Sequence, residues 1–431
     1  MDRPSKYIVL VLDGVADGLK YIPTSLELAR TPALDSLAKN CICGGFYPID
    51  KEIAPESDAA VFSILGYNPH EIHVGRGLLE ALGAGLDIVD YREVAFRANF
   101  ATIDSKTKRI IDRRVGRSLT TQEAIELAKA LDGMKLEYEG YARVVATVGH
   151  RAVVIIGSRK YRLSADVSNI DPAYGRKDRV SIALRDYSPY IPKCKPLIDS
   201  KDAEITCRLV EEFIEKAIEI LDKHPINLER EKRGLLKGNA ILLRDAEDRH
   251  PSIQPIEYLY NKTFGAIAEM PVEKGIAKLL KMKVSEVPPP TEDKAKDYSI
   301  RLEKTLELLN EVDVVYVHLK GPDEPGHDGD KERKVKSIEL IDQFFINPLL
   351  NRIDLDKVCI IVTADHATPP EVKAHTSDPV PLMISCNYIK RKDPIERFTE
   401  RECFTKGSLG ILEHGYEMLK KVFQLLESKN D

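Results

Sequence analysis

Two side chains suited to metal chemistry, Asp365 and His366, stand just beyond the β-branched run 358–362, and His375 follows after a proline-rich loop. A run of this kind is typical of a buried parallel strand. Open α/β sheets bind their ligands beyond the carboxyl ends of such strands. Carboxylate and imidazole groups at that position would bind a divalent metal ion. We therefore interpret this stretch as half of a two-metal site.

Two further apolar runs end in the same residue types. Run 7–12 leads into Asp13, and run 312–319 is followed by Asp323 and His327. Because a glycine follows Asp13, the Asp-Gly pair could also serve only to form a turn at the end of the strand. Asp323 and His327 are four residues apart, but the surrounding prolines and glycines argue against a regular helix. We therefore expect this pair on a loop at the carboxyl end of a strand.

Ser57 begins a helix-forming stretch that ends at Gly66. One interpretation is purely structural, with Ser57 as the N-cap of the helix. The other uses the same position, because a hydroxyl at a helix N-terminus lies in a positive potential that favours an alkoxide and an incoming phosphate. Both interpretations stay open on the sequence around Ser57 alone.

Mixed carboxylate and imidazole ligands without cysteine suit Mn²⁺, Zn²⁺, Co²⁺ or Mg²⁺. Two such ions held close together would polarise the attacking and leaving oxygens of a phosphoryl transfer. A non-catalytic metal- or phosphate-binding protein, or a scaffold with structural Asp and His residues, are the alternatives. The candidate ligands are Asp13, Ser57, Asp323, His327, Asp365, His366 and His375.

The middle of the chain, from about residue 90 to 285, alternates strand-like and helical runs and predicts an α+β unit with its own core. The proline-rich stretch 287–291 predicts a linker. The glycine-rich stretch 75–85 predicts a flexible connector that carries a basic side chain. Run 411–426 predicts a closing amphipathic helix.

Basic residues are concentrated near the turns of this middle unit. Most arginines are plain surface charges, but those on short turns are well placed to bind a carboxylate or phosphate in bidentate fashion. The basic residues of these turns are Arg113, Arg114, Arg117, His150, Arg151, Arg176 and Arg244.

The bulk composition predicts a soluble, cytosolic protein rather than a nucleic-acid-binding or membrane protein. The 64 Lys and Arg residues are balanced by 69 Asp and Glu, for a net charge of −5, so no nucleic-acid surface is expected. The chain has neither a signal-peptide pattern nor an apolar run of about 20 residues. The 7 cysteines show no disulfide or metal spacing, which is typical of a reducing cytoplasm.

The candidate motifs resemble those of the alkaline phosphatase superfamily: Asp13-Gly14, Pro-Glu-Ser57-Asp-Ala-Ala, Gly-Pro-Asp323-Glu-Pro-Gly-His327 and Thr-Ala-Asp365-His366 with His375. Nearly end to end, the chain is similar to archaeal-type cofactor-independent (2,3-bisphosphoglycerate-independent) phosphoglycerate mutases. The match includes Gly-Arg-Gly at 75–77, Asp-Arg-Arg-Val-Gly-Arg at 112–117, Gly-His-Arg at 149–151 and Asn-Ala-Ile-Leu-Leu-Arg at 239–244. The middle unit is what narrows the resemblance to the mutases.

The resemblance implies an alkaline-phosphatase-like doubly wound α/β domain, 1–80 and 291–431, interrupted by an inserted α+β substrate-binding domain at 81–290. It also implies two ligand sets for two divalent metal ions. One ion would be held by Asp323, His327 and His375. The other would be held by Asp13, Ser57, Asp365 and His366.

The activity implied by the resemblance is interconversion of 3-phosphoglycerate and 2-phosphoglycerate through a metal-activated phosphoserine on Ser57, in glycolysis and gluconeogenesis. Glycerate would stay trapped between the domains while water is excluded. A phosphopentomutase or a phosphomonoesterase is the rival, although a simple hydrolase needs no arginine-rich domain to retain its product. A homo-oligomer is left open. The residues expected to hold the substrate are Arg244, His150 and Arg151, with Arg113 and Arg114.

Overall fold

Two units, defined by their internal contacts, are present in the computed structural model, which describes residues 3–72, 74–177 and 180–427. The sheet unit comprises the described residues of Met1–Ile72, Ile253–Met270 and Ile276–Asp431. The inserted unit comprises the described residues of His73–Ser252 and Pro271–Gly275. The chain therefore leaves the first unit and returns to it, as an insertion requires.

The strands are short and mostly apolar. In chain order they are β1 (Lys6–Leu12), β2 (Cys41–Phe46), β3 (Glu93–Ile103), β4 (Ile110–Asp112), β5 (Lys135–Leu136), β6 (Gly140–Ala146), β7 (Arg151–Ser158), β8 (Tyr174–Lys177), β9 (Val180–Ala183), β10 (Ala240–Glu247), β11 (Phe264–Ala268), β12 (Lys283–Glu286), β13 (Val314–Leu319), β14 (Val358–Thr363), β15 (Val380–Ser385) and β16 (Ile411–Leu412).

The helices include one π-helical turn (Asp342–Ile346) and two 3₁₀ turns (Val115–Arg117 and Gly415–Glu417). Within the described residues, no helix is long and apolar enough to cross a membrane. The α-helices are α1 (Ser25–Leu28), α2 (Pro32–Ala38), α3 (Ser57–Ile64), α4 (Arg76–Gly83), α5 (Thr121–Leu131), α6 (Lys201–Asp222), α7 (Pro225–Lys232), α8 (Ile256–Tyr260), α9 (Pro271–Leu279), α10 (Lys294–Leu309), α11 (Asp323–Asp328), α12 (Lys331–Ile341), α13 (Asn347–Leu350), α14 (Glu400–Lys406) and α15 (Met418–Glu427).

The sheet unit is built on an eight-stranded sheet in the order β12-β11-β13-β1-β14-β15-β2-β16. The strands from β12 to β14 are parallel, and every residue of β13 and β14 is buried. Leu12 at the end of β1 pairs with Leu319 at the end of β13, and Val11 pairs with Thr363 at the end of β14. The segments that follow these strands therefore emerge at one edge of the sheet. The predicted α/β fold is confirmed.

The inserted unit contains a second, antiparallel sheet in the order β10-β3-β7-β6-β5, with β4 paired to β3. Apolar residues of β3, β7, β10, α5 and α6 form its core. The flexible connector predicted at 75–85 is wrong, because α4 packs against β3 and β10. A side chain at Gly77 would lie 2.4 Å from the carbonyl oxygen of Ala95, so this glycine serves close packing rather than flexibility.

The expected domain boundaries do not match the two units. Strands β11 and β12 pair within the eight-stranded sheet, although the sequence placed both in the inserted domain. The proline-rich stretch 287–291 lies between β12 and α10, inside the sheet unit. A strand pattern does not state which sheet the strand will join, and that choice is made by tertiary packing.

The prediction of a closing helix over 411–426 is also wrong about where the helix starts. Ile411 and Leu412 form β16, which pairs in parallel with the end of β2. The helix begins only at Met418. Gly410 has a left-handed φ of 65°, and this turn lets the chain enter β16 before the helix starts.

A disulfide bond joins Cys194 to Cys207, whose Cα atoms are 5.1 Å apart. It connects the segment before α6 to the first turns of that helix. The prediction of no disulfide from the cysteine spacing is therefore wrong, since spacing along the chain does not reveal that α6 packs beside residue 194. The other described cysteines are buried and free.

We predict that the double substitution C194A/C207A lowers the free energy of unfolding by about 2–4 kcal/mol, because the cross-link constrains the unfolded chain. Chemical denaturation of both proteins, with and without a reductant, measures this difference. The reductant should destabilise the wild type and leave the double variant unchanged. Equal denaturation midpoints for the oxidised wild type and the double variant would contradict a stabilising bond.

Candidate active site

Asp13, Asp365 and His366 meet at the edge where β1 and β14 end, and all three are buried. The Nε2 atom of His366 lies 3.5 Å from Oδ1 of Asp13 and 3.2 Å from Oδ2 of Asp365. The backbone amide of Gly14 donates to Oδ1 of Asp365 over 3.0 Å. The sheet edge thus collects two carboxylates and one imidazole into a single group.

Ser57 is the first residue of α3, and the N-cap position is taken by Glu56. The N-cap interpretation of Ser57 is therefore wrong. Its hydroxyl instead lies 3.2 Å from Nε2 of His366. Strand β2, which precedes the Ser57 loop, is antiparallel to β15, and β15 is antiparallel to β14. The loop therefore starts from the same sheet edge as the buried group.

A second group comprises Asp323, His327 and His375. Oδ1 of Asp323 lies 3.5 Å from Nε2 of His327 and 3.4 Å from Nε2 of His375. The two Nε2 atoms are 3.1 Å apart. The imidazole of His375 also stacks on that of His366, with ring centroids 3.6 Å apart, so the two groups are neighbours.

The loop predicted for Asp323 and His327 is wrong, because the two residues lie on the short helix α11. Pro325 falls in the first turn of α11, where a missing N–H costs no intrahelical hydrogen bond. The spacing of four residues then places both side chains on one helical face. The helix brings the carboxylate and the imidazole together without needing an irregular loop.

Both groups have the ligand spacing that a metal ion requires. Nitrogen and oxygen ligands about 2.1 Å from a tetrahedral ion lie about 3.4 Å from one another, and the candidate ligand atoms within each group are 3.1–3.5 Å apart. Among the described residues, the buried Oδ1 of Asp13 and Oδ2 of Asp365 have no hydrogen-bond partner. Such oxygens are costly to bury unless a cation binds them. The residues present therefore fit a pair of divalent ions.

The electrostatics keep the carboxylates of Asp365 and Asp323 ionised. Burial opposes ionisation of Asp365, but the charges of His366 and His318 hold its pKa well below the usual range. Burial likewise opposes ionisation of Asp323, yet a hydrogen bond from His375 and the charge of His366 lower its pKa. Ionised carboxylates are the form that binds metal.

His318 and Lys320 also belong to this site, although the sequence did not single them out. Nε2 of His318 lies 3.3 Å from Oδ2 of Asp365 and 3.6 Å from Oδ1 of Asp13. The ammonium of Lys320 lies 3.2 Å from Oδ2 of Asp13. The sequence could have indicated His318, because it lies inside the apolar run 312–319 and a buried strand rarely carries an ionisable side chain.

In the inserted unit, Arg114, Arg151 and Arg244 lie close enough to His150 for their charges to act on its pKa. Burial, followed by the charges of Arg151, Arg114, Arg117 and Arg244, lowers the pKa of His150 to about 4. His150 is therefore neutral at physiological pH. An excess of partly buried positive charge of this kind is typical of an anion-binding site.

The sequence missed Arg76 and Arg97 as members of this basic cluster. Burial and the charges of Arg76 and Arg244 lower the pKa of Arg97 to about 10, although Glu80 and Asp245 oppose the shift. Arg76 lies on α4, the helix that was expected to be a connector. Its place in the cluster depends on the packing of α4.

Arg113 and Arg176 use their guanidinium groups in hydrogen bonds within the protein. The Nε and Nη2 atoms of Arg113 donate to the two carboxylate oxygens of the buried Asp171, over 2.7 and 2.6 Å. Arg244 donates to the same carboxylate over 3.0 Å. Arg176 donates to backbone carbonyls, including that of Ala246 at 2.8 Å. Asp171 thereby fixes two of the arginines in position.

A turn with an unusual backbone presents the arginines that follow β4. Val115, Gly116 and Arg117 all have left-handed φ angles, of 55°, 57° and 54°. The carboxylate of Asp112 accepts the amides of Arg114 and Gly116 over 2.7 and 2.8 Å. A β-branched residue in this conformation is strained. The turn borders a cavity of about 560 Å³ lined in part by arginines.

We predict that Arg151→Met raises the melting temperature of the metal-free protein by about 2 °C in phosphate-free buffer. Burial and the charges of neighbouring arginines lower the pKa of Arg151, although the charge of Glu80 opposes the shift. A neutral side chain of similar length therefore removes the cost of burying this charge among the arginines. Inorganic phosphate should then stabilise the wild type more than R151M. Thermal melts in EDTA, with and without phosphate, measure both effects.

The exposed Arg233 provides the control. Arg233→Met should leave both the melting temperature and the phosphate effect within error of the wild type. A lower melting temperature for R151M, together with an undiminished phosphate effect, would mean that Arg151 is not part of an anion site.

Comparisons with known proteins agree with one another. A family model described as 2,3-bisphosphoglycerate-independent phosphoglycerate mutase matches residues 38–227. A protein of that name from Aeropyrum pernix is 47% identical over 430 residues, covering 98% of this chain and 99% of the relative. A 2,3-bisphosphoglycerate-independent phosphoglycerate mutase 1 from Archaeoglobus fulgidus is 37% identical and covers 97% of both chains.

Two solved structures are similar over the whole chain. The PH0037 protein from Pyrococcus horikoshii has a TM-score of 0.77 at 28% identity, and all of both chains is covered. A cofactor-independent phosphoglycerate mutase from Thermoplasma acidophilum has a TM-score of 0.65 at 29% identity, covering 98% of this chain and 100% of the other.

Proposed function

The chain belongs to the family of 2,3-bisphosphoglycerate-independent phosphoglycerate mutases, and we propose that it interconverts 3-phosphoglycerate and 2-phosphoglycerate through a phosphoserine on Ser57. The reaction is an intramolecular phosphoryl transfer in glycolysis and gluconeogenesis. Full-length similarity to named mutases supports the reaction. The geometry around Ser57 supports the route.

The observation that carries this proposal is the position of the Ser57 hydroxyl. It lies 3.2 Å from Nε2 of His366, a member of one candidate ligand group, and the ring of His366 stacks on His375 of the other. The place of Ser57 on the first turn of α3 aims the partial positive charge of the helix N-terminus at its hydroxyl. A nucleophile placed there would attack a phosphoryl group and then carry it.

We propose that Asp323, His327 and His375 hold one divalent ion, and that Asp13, Ser57, Asp365 and His366 hold a second. Their oxygen and imidazole donors suit Mn²⁺, Zn²⁺, Co²⁺ or Mg²⁺. When bound, these ions would polarise the phosphoryl oxygens and lower the pKa of the Ser57 hydroxyl. The candidate ligand spacing and the ionised carboxylates support this assignment.

The transfer has two balanced halves. In the first half, Oγ of Ser57 loses its proton and bonds to phosphorus, the bond from phosphorus to the C3 oxygen breaks, and the C3 oxygen takes up a proton, which leaves glycerate beside a phosphoserine. In the second half, the C2 hydroxyl of glycerate loses its proton and bonds to phosphorus, the bond from phosphorus to Oγ of Ser57 breaks, and Oγ takes up a proton. No water is consumed, so exclusion of water separates a mutase from a phosphatase.

The basic cluster of the inserted unit supports a role for that unit in binding the anionic groups of the substrate. We propose that Arg114, His150, Arg151 and Arg244 hold the carboxylate and phosphate. Arg113 contributes less directly, because its bidentate pair with Asp171 occupies its planar fork. Guanidinium groups that hold a carboxylate would keep glycerate bound between the two halves of the reaction.

Beyond phosphoglycerate itself, the partners stay predictions. A cytoplasmic location, the lack of a nucleic-acid partner and a homo-oligomeric state were all inferred from composition or left open by it. We likewise propose that the protein binds two metal ions rather than one.

We predict that Ser57→Ala abolishes mutase activity, with a loss of at least about 10³-fold, because the substitution removes the oxygen that would attack phosphorus. The assay supplies 3-phosphoglycerate and a divalent metal without 2,3-bisphosphoglycerate, and couples 2-phosphoglycerate formation to enolase. Ser299→Ala on the exposed face of α10 should retain full activity. Full turnover by S57A would contradict the phosphoserine route. Phosphate release by the wild type without formation of 2-phosphoglycerate would indicate a phosphomonoesterase.

We predict that Asp365→Asn lowers the amount of bound metal as well as the rate, because an amide is a weaker metal ligand than a carboxylate. Metal analysis of the purified protein after dialysis measures the stoichiometry directly. Asp356→Asn, on an exposed turn, is the matched control and should bind as much metal as the wild type. An unchanged stoichiometry in D365N would mean that Asp365 is not a ligand.

A further inference from the structure

The hydroxyl of Thr368 lies between the two candidate ligand groups. Its Oγ1 atom is 2.8 Å from Oδ1 of Asp323 and 2.9 Å from Nδ1 of His366. Asp323 belongs to one group and His366 to the other. Thr368 is itself fully buried, so its bond to His366 is shielded from water, and its bond to the partly exposed Asp323 is partly shielded.

The proton count fixes the direction of both hydrogen bonds. A hydroxyl carries one proton, and the ionised carboxylate of Asp323 can only accept it. The Thr368 oxygen must therefore accept a hydrogen bond from Nδ1–H of His366. This arrangement selects the His366 tautomer whose Nε2 carries a lone pair, the form that binds a metal ion. Nε2 is the atom that faces Ser57, Asp13 and Asp365.

The same hydroxyl orients the acidic ligand of the other group. Oδ1 of Asp323 is the atom that lies 3.5 Å from His327 Nε2 and 3.4 Å from His375 Nε2. A carboxylate oxygen has two lone pairs. When Thr368 occupies one, the other remains directed toward the two imidazoles.

The backbone of Thr368 is held from several sides. Its amide donates to the carbonyl of Ala16 over 2.9 Å. Its carbonyl accepts from the ammonium of the fully buried Lys334, also over 2.9 Å. Lys334 in turn is paired with Asp17 over 2.6 Å. A hydroxyl attached to so constrained a backbone position can fix the groups that it touches.

We propose that Thr368 is a positioning residue that couples the two metal sites, because its one hydroxyl sets both the tautomer of His366 and the orientation of Asp323. The inference rests on the two-metal function proposed above. Loss of the hydroxyl would weaken metal binding at both sites together, although Thr368 belongs to neither ligand set.

The test compares metal binding by Thr368→Val, which removes only the hydroxyl, and Thr368→Ser, which keeps it. Cobalt ions are titrated into the metal-free full-length proteins, and binding is followed by calorimetry and by the visible absorption of bound Co²⁺. We expect T368V to lose about 10–100-fold in affinity at both sites, as outer hydrogen-bonding partners of metal ligands typically contribute. T368S should stay within about threefold of the wild type.

The control is Thr305→Val, because Thr305 is equally buried but its hydroxyl bonds only to the carbonyl of Arg301 in its own helix. T305V should bind cobalt as the wild type does. Thermal melts of the metal-free proteins establish that each variant is folded. Should T368V fail to fold, T368A removes the same hydroxyl and takes its place.

The outcomes separate this inference from the proposed function. A wild type that binds no cobalt would overturn the two-metal function and the coupling together. Cobalt binding by the wild type and equally tight binding by T368V would overturn only the role of Thr368. A loss at one site alone, or an equal loss in T368S, would also overturn it, because the coupling requires the shared hydroxyl.

Discussion

Two carboxylates buried side by side, Asp13 and Asp365, impose the constraint on which the rest of the sheet unit depends. Ionised carboxylates inside a protein cost several kcal/mol each unless cations pair with them. His318, His366 and Lys320 supply part of that compensation. The parallel register of β1, β13 and β14 is what holds these groups within a few ångströms. A flexible scaffold would let the like charges separate and would lose the site.

Much of this arrangement could be predicted from sequence, because the chemistry there follows simple rules. An apolar run predicts a buried strand, and an Asp or His after it predicts a metal ligand at the end of that strand. Parallel strands place their carboxyl ends at the same edge of the sheet. The short helix α11 could not be predicted, because the prolines and glycines in and just before it indicate a loop locally. The close fit of Gly326, where a side chain would lie 2.5 Å from the carbonyl oxygen of Thr368, is a tertiary property.

The inserted unit was less predictable for a related reason. Its arginines are easy to find, but what each one binds depends on partners far away along the chain. Asp171, which occupies Arg113, stands 58 residues from it. The positions of α4, β11 and β12 and the pairing of Cys194 with Cys207 likewise depend on tertiary packing. In each case the local pattern was compatible with several outcomes, and packing chose among them.

Helix α11 is six residues long and contains both a proline and a glycine, so it has little stability of its own. What keeps it helical is the tethering of its two ends: Asp323 bonds to Thr368, and Nδ1 of His327 lies 3.1 Å from the carbonyl of Lys373. Ion binding to Asp323 and His327 would therefore contribute directly to the folding of this turn. Chelation would make it a locally unfolding segment, and protease sensitivity around residue 325 would then report how much of the enzyme is charged with metal.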